Sequence, residues 1–442
     1  MTSSHRPPRL VVETREIAHV DDLLAFASAD APLAWLRRGD GIVGIGTVGG
    51  YERGPHTDAG DSNDAVPADA WRAIAAAAVI DDPVGLPGSG LVAFGTLVFD
   101  ERSDEASRLV VPQVVVGRHR GRSWVTRIHA SGAAAPELPE RSAYGPYWSA
   151  TLGPGTLDPA GYQAAVRRAV DAIVAGDLEK VVLARDLVGT IPAGADLRRL
   201  VRALADDYPD TWTFAVDGLI GASPETLITA SRGVVTARVL AGTIPRGTDA
   251  HDDAGASTSL AHSAKDLEEH RYAVQSVLDT LGPHVRHLRA DPEPFTLKLP
   301  NLWHLATDVA GDLADHASSL DLVAALHPTA AVAGTPRDAA LELIRRLEPF
   351  DRGRYAGPVG WVDGHGNGEW AIALRCAQIG GAGAHVHAGR EEPADANEHR
   401  GAASATIPVV AHAGAGIVAR SDPETELLET RVKFRPIVDA LA

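Results

Sequence analysis

The sequence predicts a mixed α+β body, and three observations carry that expectation. Strand-like and helical runs are interleaved without the strict βαβ alternation of a doubly wound sheet. The residues are 45% hydrophobic and 22% charged, the balance of a chain that buries a core. No repeat with a period of about 20–50 residues divides the chain into a solenoid.

Residues 1–10 read as a loose tail, and a single domain is expected from 11 to 442. Up to about residue 150, RLVVETREI, DGIVGIGTV, SGLVAFGTLVFD, LVVPQVVVGRH and RSWVTRIH have strand patterning between Gly, Pro and Asp turns. ADAWRAIAAAAVI among them is helical. The linker SAYGPYWSATLGPGTLDP leads into a helix at 158–176, where Asp158 caps, Pro159 suits the first turn and Gly176 ends it. Strands dominate 178–246, SAKDLEEHRYAVQSVLDTL is a second helix, and 320–348 is a third helical segment. Strands follow through 378, and GREEPADANEHRGAAS reads as a mobile loop. The chain closes with strand, turn and helix.

Composition narrows the function. The net charge of -17 disfavours nucleic acid and anionic membranes as partners, so an anionic substrate needs a local cationic pocket. No apolar run approaches the ~20 residues of a membrane span. No hydrophobic segment follows the charges of MTSSHRPPRL, so a cytoplasmic location is expected. The single cysteine, Cys376, excludes an internal disulfide and a cysteine-based zinc site.

Against 37 arginines the chain has four lysines, Lys180, Lys265, Lys298 and Lys433. Lysine, unlike arginine, can give up its proton when desolvated. In 179-EKVVLARDL-187, strand alternation puts Lys180, Val182 and Ala184 on one face and Val181, Leu183 and Arg185 on the other. Beside apolar neighbours, Lys180 suits a base. Arg185 can stay charged and serve structure, pairing with a carboxylate.

Two motifs are decoys. GIGTVG at 44–49 fits a dinucleotide pattern, but YERGPHTD follows where a helix is needed. The histidines of 385-HVHAGREEPADANEH-399 match no metal spacing.

Three stretches carry candidate chemistry. In the C-terminal helix, Glu426, Glu429 and Lys433 share one face, as a solvated ion pair or as a site. Upstream, 411-AHAGAGIV-418 reads as a Gly-Ala-Gly turn whose amides suit a carboxylate. Glu269 lies off the apolar stripe of Leu267, Val274, Val277, Leu278 and Leu281, either solvated or joining Glu426 and Glu429 around a cation. Oxygen ligands of that kind suit Mg²⁺. In GLIGASPETLI, Glu225 between apolar stretches is a general acid with a raised pKa or a helix cap.

Nine motifs in order over 178–433, KVVLAR, GASPE, LAGTIPRG, SAKDLEEH, LPNLWHLAT, LHPTAAVAGTP, RGRYAGPVGW, EWAIALRCA and AGAGIV…DPETELLET, resemble the chorismate-utilising enzymes. That family comprises isochorismate, salicylate, anthranilate and aminodeoxychorismate synthases. The resemblance implies one large domain of two packed β-sheets flanked by helices, with the active site in a cleft between them. Lys180 together with Ala241 resembles the water-using branch, and HPTAAVAGTP resembles isochorismate synthases more than salicylate synthases, the alternative. His412 departs from the aromatic or glutamine usual before AGAG. By resemblance, Lys180 is the base, Glu225 the acid, and Glu269, Glu429 and nearby Glu426 hold Mg²⁺. Arg375, Tyr355 and the amides of Gly414, Ala415 and Gly416 hold a carboxylate of chorismate. Thr243, His304, Gly334 and Thr335 line the ring pocket, and Lys433 completes the metal and carboxylate shell. The resemblance implies a monomer and leaves the product's use open between menaquinone and siderophore synthesis.

Overall fold

The computed structural model describes residues 9–54, 67–380 and 405–442. Alternate burial of Leu10, Val12 and Thr14 makes Leu10–Ile17 the first described strand, so it begins at the last residue of the expected tail. Among the described residues the strands form two sheets, of 13 and 10 strands. Their facing sides share one core, with Trp35 and Phe214 from the larger sheet and Phe94, Trp361 and Trp370 from the smaller. A second cluster lies on the outer face of the larger sheet. There Leu200, Val201 and Leu204 of helix Arg198–Asp207, with Phe434, Ile437 and Leu441 of the C-terminal helix Pro423–Leu441, cover Ala215, Ala377 and Ala411. Two sheets with helices outside form the single α+β domain that the motifs implied.

Local signals account for the elements around the site. Helix Pro159–Ala175 is capped by Asp158, which accepts from the Gly161 amide, and ends at Gly176 with φ 87°. Helix Ala264–Leu281, here the acidic helix, starts at Ser263, which accepts from the Asp266 amide. It buries Glu269, Ala273 and Val277 along one line, so Glu269 lies on the buried stripe rather than off it.

Several expectations are corrected. The segment 320–348 is two helices, Ser319–Leu326 and Arg337–Leu347, separated at HPTAAVAGTP, where Pro328 and Pro336 offer no amide to continue a helix. Helices Arg198–Asp207 and Ala250–Ala261 fall where strands or no element were expected. The 411–418 stretch is not a turn: it continues strand Thr406–Ile417, here the glycine strand. Among the described residues no carboxylate forms an ion pair with Arg185. Its Nε donates to Thr430 Oγ1 at 2.8 Å, and its guanidinium lies 4.9 Å over the Phe434 ring. The GIGTVG decoy is the end of strand Asp40–Ile45 and the start of strand Gly49–Arg53, with no helix. The histidine-rich stretch and the polar loop up to residue 404 lie outside the described residues. No described helix is long and apolar enough to cross a membrane.

Trp370 is fully buried between the sheets, and a Cβ on Gly95 would fall 2.3 Å from its ring. Trp370→Ala is expected to cost about 3–5 kcal/mol, and Gly95→Ala about 1–3 kcal/mol through overpacking. Urea unfolding checks both; wild-type midpoints would contradict this packing.

Candidate active site

The innermost wall is the strand Lys180–Pro192, the lysine strand, paired antiparallel with the glycine strand so that Val182 opposes Gly416 and Ala184 opposes Gly414. Val182 and Ala184 turn their amides away from this partner, to the Ala333 carbonyl (2.8 Å) and to Glu348 Oε1 (2.7 Å). Gly414 and Gly416 are therefore at non-hydrogen-bonded positions, with backbone groups directed away from the lysine strand. The Gly414 carbonyl accepts from Lys433 Nζ at 2.9 Å. By the same alternation the Ala415 amide is committed to the ladder opposite Leu183. Of the three amides expected to hold a carboxylate, only those of Gly414 and Gly416 are free of this pairing. A Cβ on Gly416 would fall 2.1 Å from Glu269 Oε1, so glycine here admits that carboxylate.

Lys180 is completely buried. Its Nζ lies 3.4 Å from Glu269 Oε1 and has no hydrogen-bond partner. Glu225, buried in the break between strands Leu219–Ser223 and Thr226–Ser231, occupies the other side of the same region. Burial pushes its pKa up to about 7 against the opposing effects of a Leu240 backbone hydrogen bond and the charges of Lys180 and Arg375. It is the carboxyl between apolar runs that the sequence singled out, and no helix follows for it to cap.

Arg375 adopts φ 52° and directs Nη2 to His304 Nε2 at 3.1 Å. Arginine only donates, so Nε2 accepts and the imidazole proton sits on Nδ1, 3.2 Å from the Gly242 carbonyl and 3.0 Å from Thr243 Oγ1. Burial, then the Arg375 charge, hold His304 well below the usual histidine range, so it stays neutral.

The remaining acids come in pairs with lysines. Lys265 Nζ meets Glu426 Oε1 at 2.5 Å, and Lys433 Nζ meets Glu429 Oε1 at 2.5 Å within the C-terminal helix. With Lys180–Glu269, three of the four lysines each hold one of the three predicted metal-binding glutamates. Burial and the neighbouring Glu429 carboxylate raise Glu426 to about 7, and its Oε2 is buried without a partner. No three His, Cys, Asp or Glu side chains among the described residues are gathered as a metal ligand set. The expected three-carboxylate cluster is thus a neighbourhood of ion pairs, because a lysine reaches each acid first.

These groups border a narrow cavity of about 50 Å³ between the two sheets. Glu225, Thr243, Glu269, His304, Tyr355, Arg375, Gly414, Gly416 and Lys433 line it, and Lys180 lies just behind Glu269. Gly334 and Thr335 do not line it. They form a two-residue strand backing Val181 and Lys180, while Ala331 and Val332 of the same motif face the cavity. Sequence reasoning assigned no role to Arg352, a buried wall residue that pairs with Glu348 at 2.6 Å and donates to the Val182 and Val332 carbonyls. Glu348 and Arg352, four residues apart in a helix exit, were the available signal.

Comparisons with known proteins identify the family. A family model described as chorismate binding enzyme matches residues 2–390 and 400–442. Isochorismate synthase DhbC of Bacillus subtilis (strain 168) is 38% identical over 296 residues, covering 64% of this chain and 68% of that protein. Isochorismate synthase EntC of Escherichia coli (strain K12) is 34% identical over 283 residues, covering 63% of this chain and 66% of that protein. The solved structure of MenF, the menaquinone-specific isochorismate synthase from Escherichia coli, superposes with a TM-score of 0.74 at 24% identity. It covers 98% of this chain and 95% of its own, and at that identity it supports the fold alone.

The raised Glu225 has a measurable consequence. Unfolded, the carboxyl titrates near 4.5; folded, near 7. Between those values the native state holds a proton the unfolded state has lost, so stability falls as pH rises through this window. Urea unfolding at pH 5 and 8 is expected to show wild type losing about 3 kcal/mol more than Glu225→Gln across it. Parallel losses would place this carboxyl in an ordinary environment.

Proposed function

The chain belongs to the chorismate-binding enzymes, and on that premise we propose that it is an isomerase converting chorismate to isochorismate. Relatives named isochorismate synthase support the reaction. The observation that carries it is the proximity of Glu225, a buried acid near pH 7 that lines the cavity, to Lys180, a buried amine without a hydrogen-bond partner just behind the cavity wall. Lys180 takes a proton from a water that adds at C2 of the ring. Glu225 gives its proton to the C4 hydroxyl, which leaves as water while the double bonds shift. Arginine could not perform the first step, which accounts for a lysine in a chain that otherwise prefers arginine.

Substrate charge is handled by the wall. Arg375, with His304 neutral beside it, and the outward amides of Gly414 and Gly416 receive one carboxylate, and Tyr355 closes over it. Glu269, Glu426 and Glu429 are not gathered as a three-acid ligand set, but Mg²⁺ keeps several waters and needs only one or two carboxylates, and these acids offer oxygens with Glu426 Oε2 an orphaned buried acceptor. When bound, the ion supplies positive charge that neutralises and orients the ring carboxylate. Lys433 fixes Glu429 and the Gly414 carbonyl beside that position.

Incubation with chorismate and Mg²⁺, followed by chromatography, is expected to give isochorismate. Salicylate with pyruvate would replace this reading by a salicylate synthase, and no turnover would remove both. Lys180→Gln is expected to lower turnover by at least about 10²-fold; wild-type turnover would deny Lys180 its role. Because Glu225 must be protonated, turnover should decline above about pH 7, and Glu225→Gln should abolish it.

A further inference from the structure

Lys265 belongs to none of the roles above, yet it sits among the acids proposed to take a divalent cation. Its Nζ holds Glu426 Oε1 at 2.5 Å, linking the first turn of the acidic helix to the first turn of the C-terminal helix. Glu426 is entirely buried, and its second oxygen has no partner. The pair is lopsided: the Lys265 side chain is 24% exposed, whereas the glutamate side chain is 0% exposed. A cation at a helix N-terminus also faces the positive end of that helix's dipole. The acidic helix therefore does not favour Lys265 where it stands, and the attraction of Glu426 holds it. Its four-carbon stem reaches solvent and can carry the ammonium away without moving backbone.

We propose that Lys265 is a resident counter-ion, occupying the carboxylate site when no divalent cation is bound and leaving it when one enters. The inference rests on the metal reading given above. Glu426 is fully buried against the Lys265 ammonium, which therefore stands where a bound cation would. A lysine on a half-open helix turn supplies one that can be displaced. Arginine would hold the carboxylate with two parallel hydrogen bonds and release it less readily. Lys265 is thus a positioning residue whose effect on metal affinity is opposite in sign to that of a ligand.

The test is Mn²⁺ binding to the full chain without chorismate at pH 8, read from the electron paramagnetic resonance of free Mn²⁺. Lys265→Met is expected to bind Mn²⁺ about tenfold more tightly than wild type and to melt lower than wild type only when metal is absent. Lys265→Arg should bind no more tightly than wild type. Glu429→Gln, which removes a proposed ligand, should bind more weakly. If wild type and Glu429→Gln differ as stated while Lys265→Met binds no more tightly, the counter-ion role is overturned and the metal reading stands. If wild type binds no Mn²⁺, or Glu429→Gln binds equally well, the metal reading fails and takes this proposal with it. Lys265→Gln provides the same comparison if the methionine variant does not fold.

Discussion

A lysine at zero exposure is oriented by the acid beside it, and Lys180 has Glu269 3.4 Å away. Much of the inner wall follows from that contact. The glycine strand lacks a side chain at Gly416, where a methyl group would strike the carboxylate. The acidic helix turns Glu269 inward along the line of Ala273 and Val277, though an acid there contradicts the apolar pattern. Thr335 and Gly334 pair with the far edge of the lysine strand at Lys180 and Val181. The pair thus constrains three elements at once.

The site also resolves a tension in the composition. A chain with a net charge of -17 repels anions at long range, yet this cavity is bordered by Lys433, Arg352 and Arg375, with Lys180 behind Glu269. Most of these cations are matched by buried acids, so the wall is a lattice of alternating charges. Such a lattice is sensitive to exchange of one ion for another, because each group is oriented by its counter-charge more than by packing.

What the sequence disclosed depended on whether the signal was local. Asp158, Pro159 and Gly176 bracket their helix within the stretch itself, and Ser263 does the same for the acidic helix. Helix Ala250–Ala261 was illegible because AHDDAGASTSLA has poor propensity. It is anchored from outside, with Asp253 accepting from Trp303 Nε1 at 2.9 Å and paired with Arg246. The glycines of AGAGIV read as a turn because Gly usually marks one. Their tertiary purpose, admitting Glu269 and leaving amides free, is visible only once the lysine strand lies alongside. The residue types at the site were legible through the family resemblance, whereas the lysine–glutamate pairing was not, since each pair except Lys433–Glu429 joins distant parts of the chain.

The Arg352–Glu348 clamp has a further consequence. Arg352 holds the carbonyls of Val182 and Val332 while Glu348 holds the Ala184 amide, so the backbone beside the reacting groups is fastened from two sides before any ligand arrives. The conformational entropy of ordering this wall is spent at folding and not again at binding. Ligands of similar charge but different ring outline would then meet a rigid template, and discrimination among them would arise from shape rather than from closure around each one.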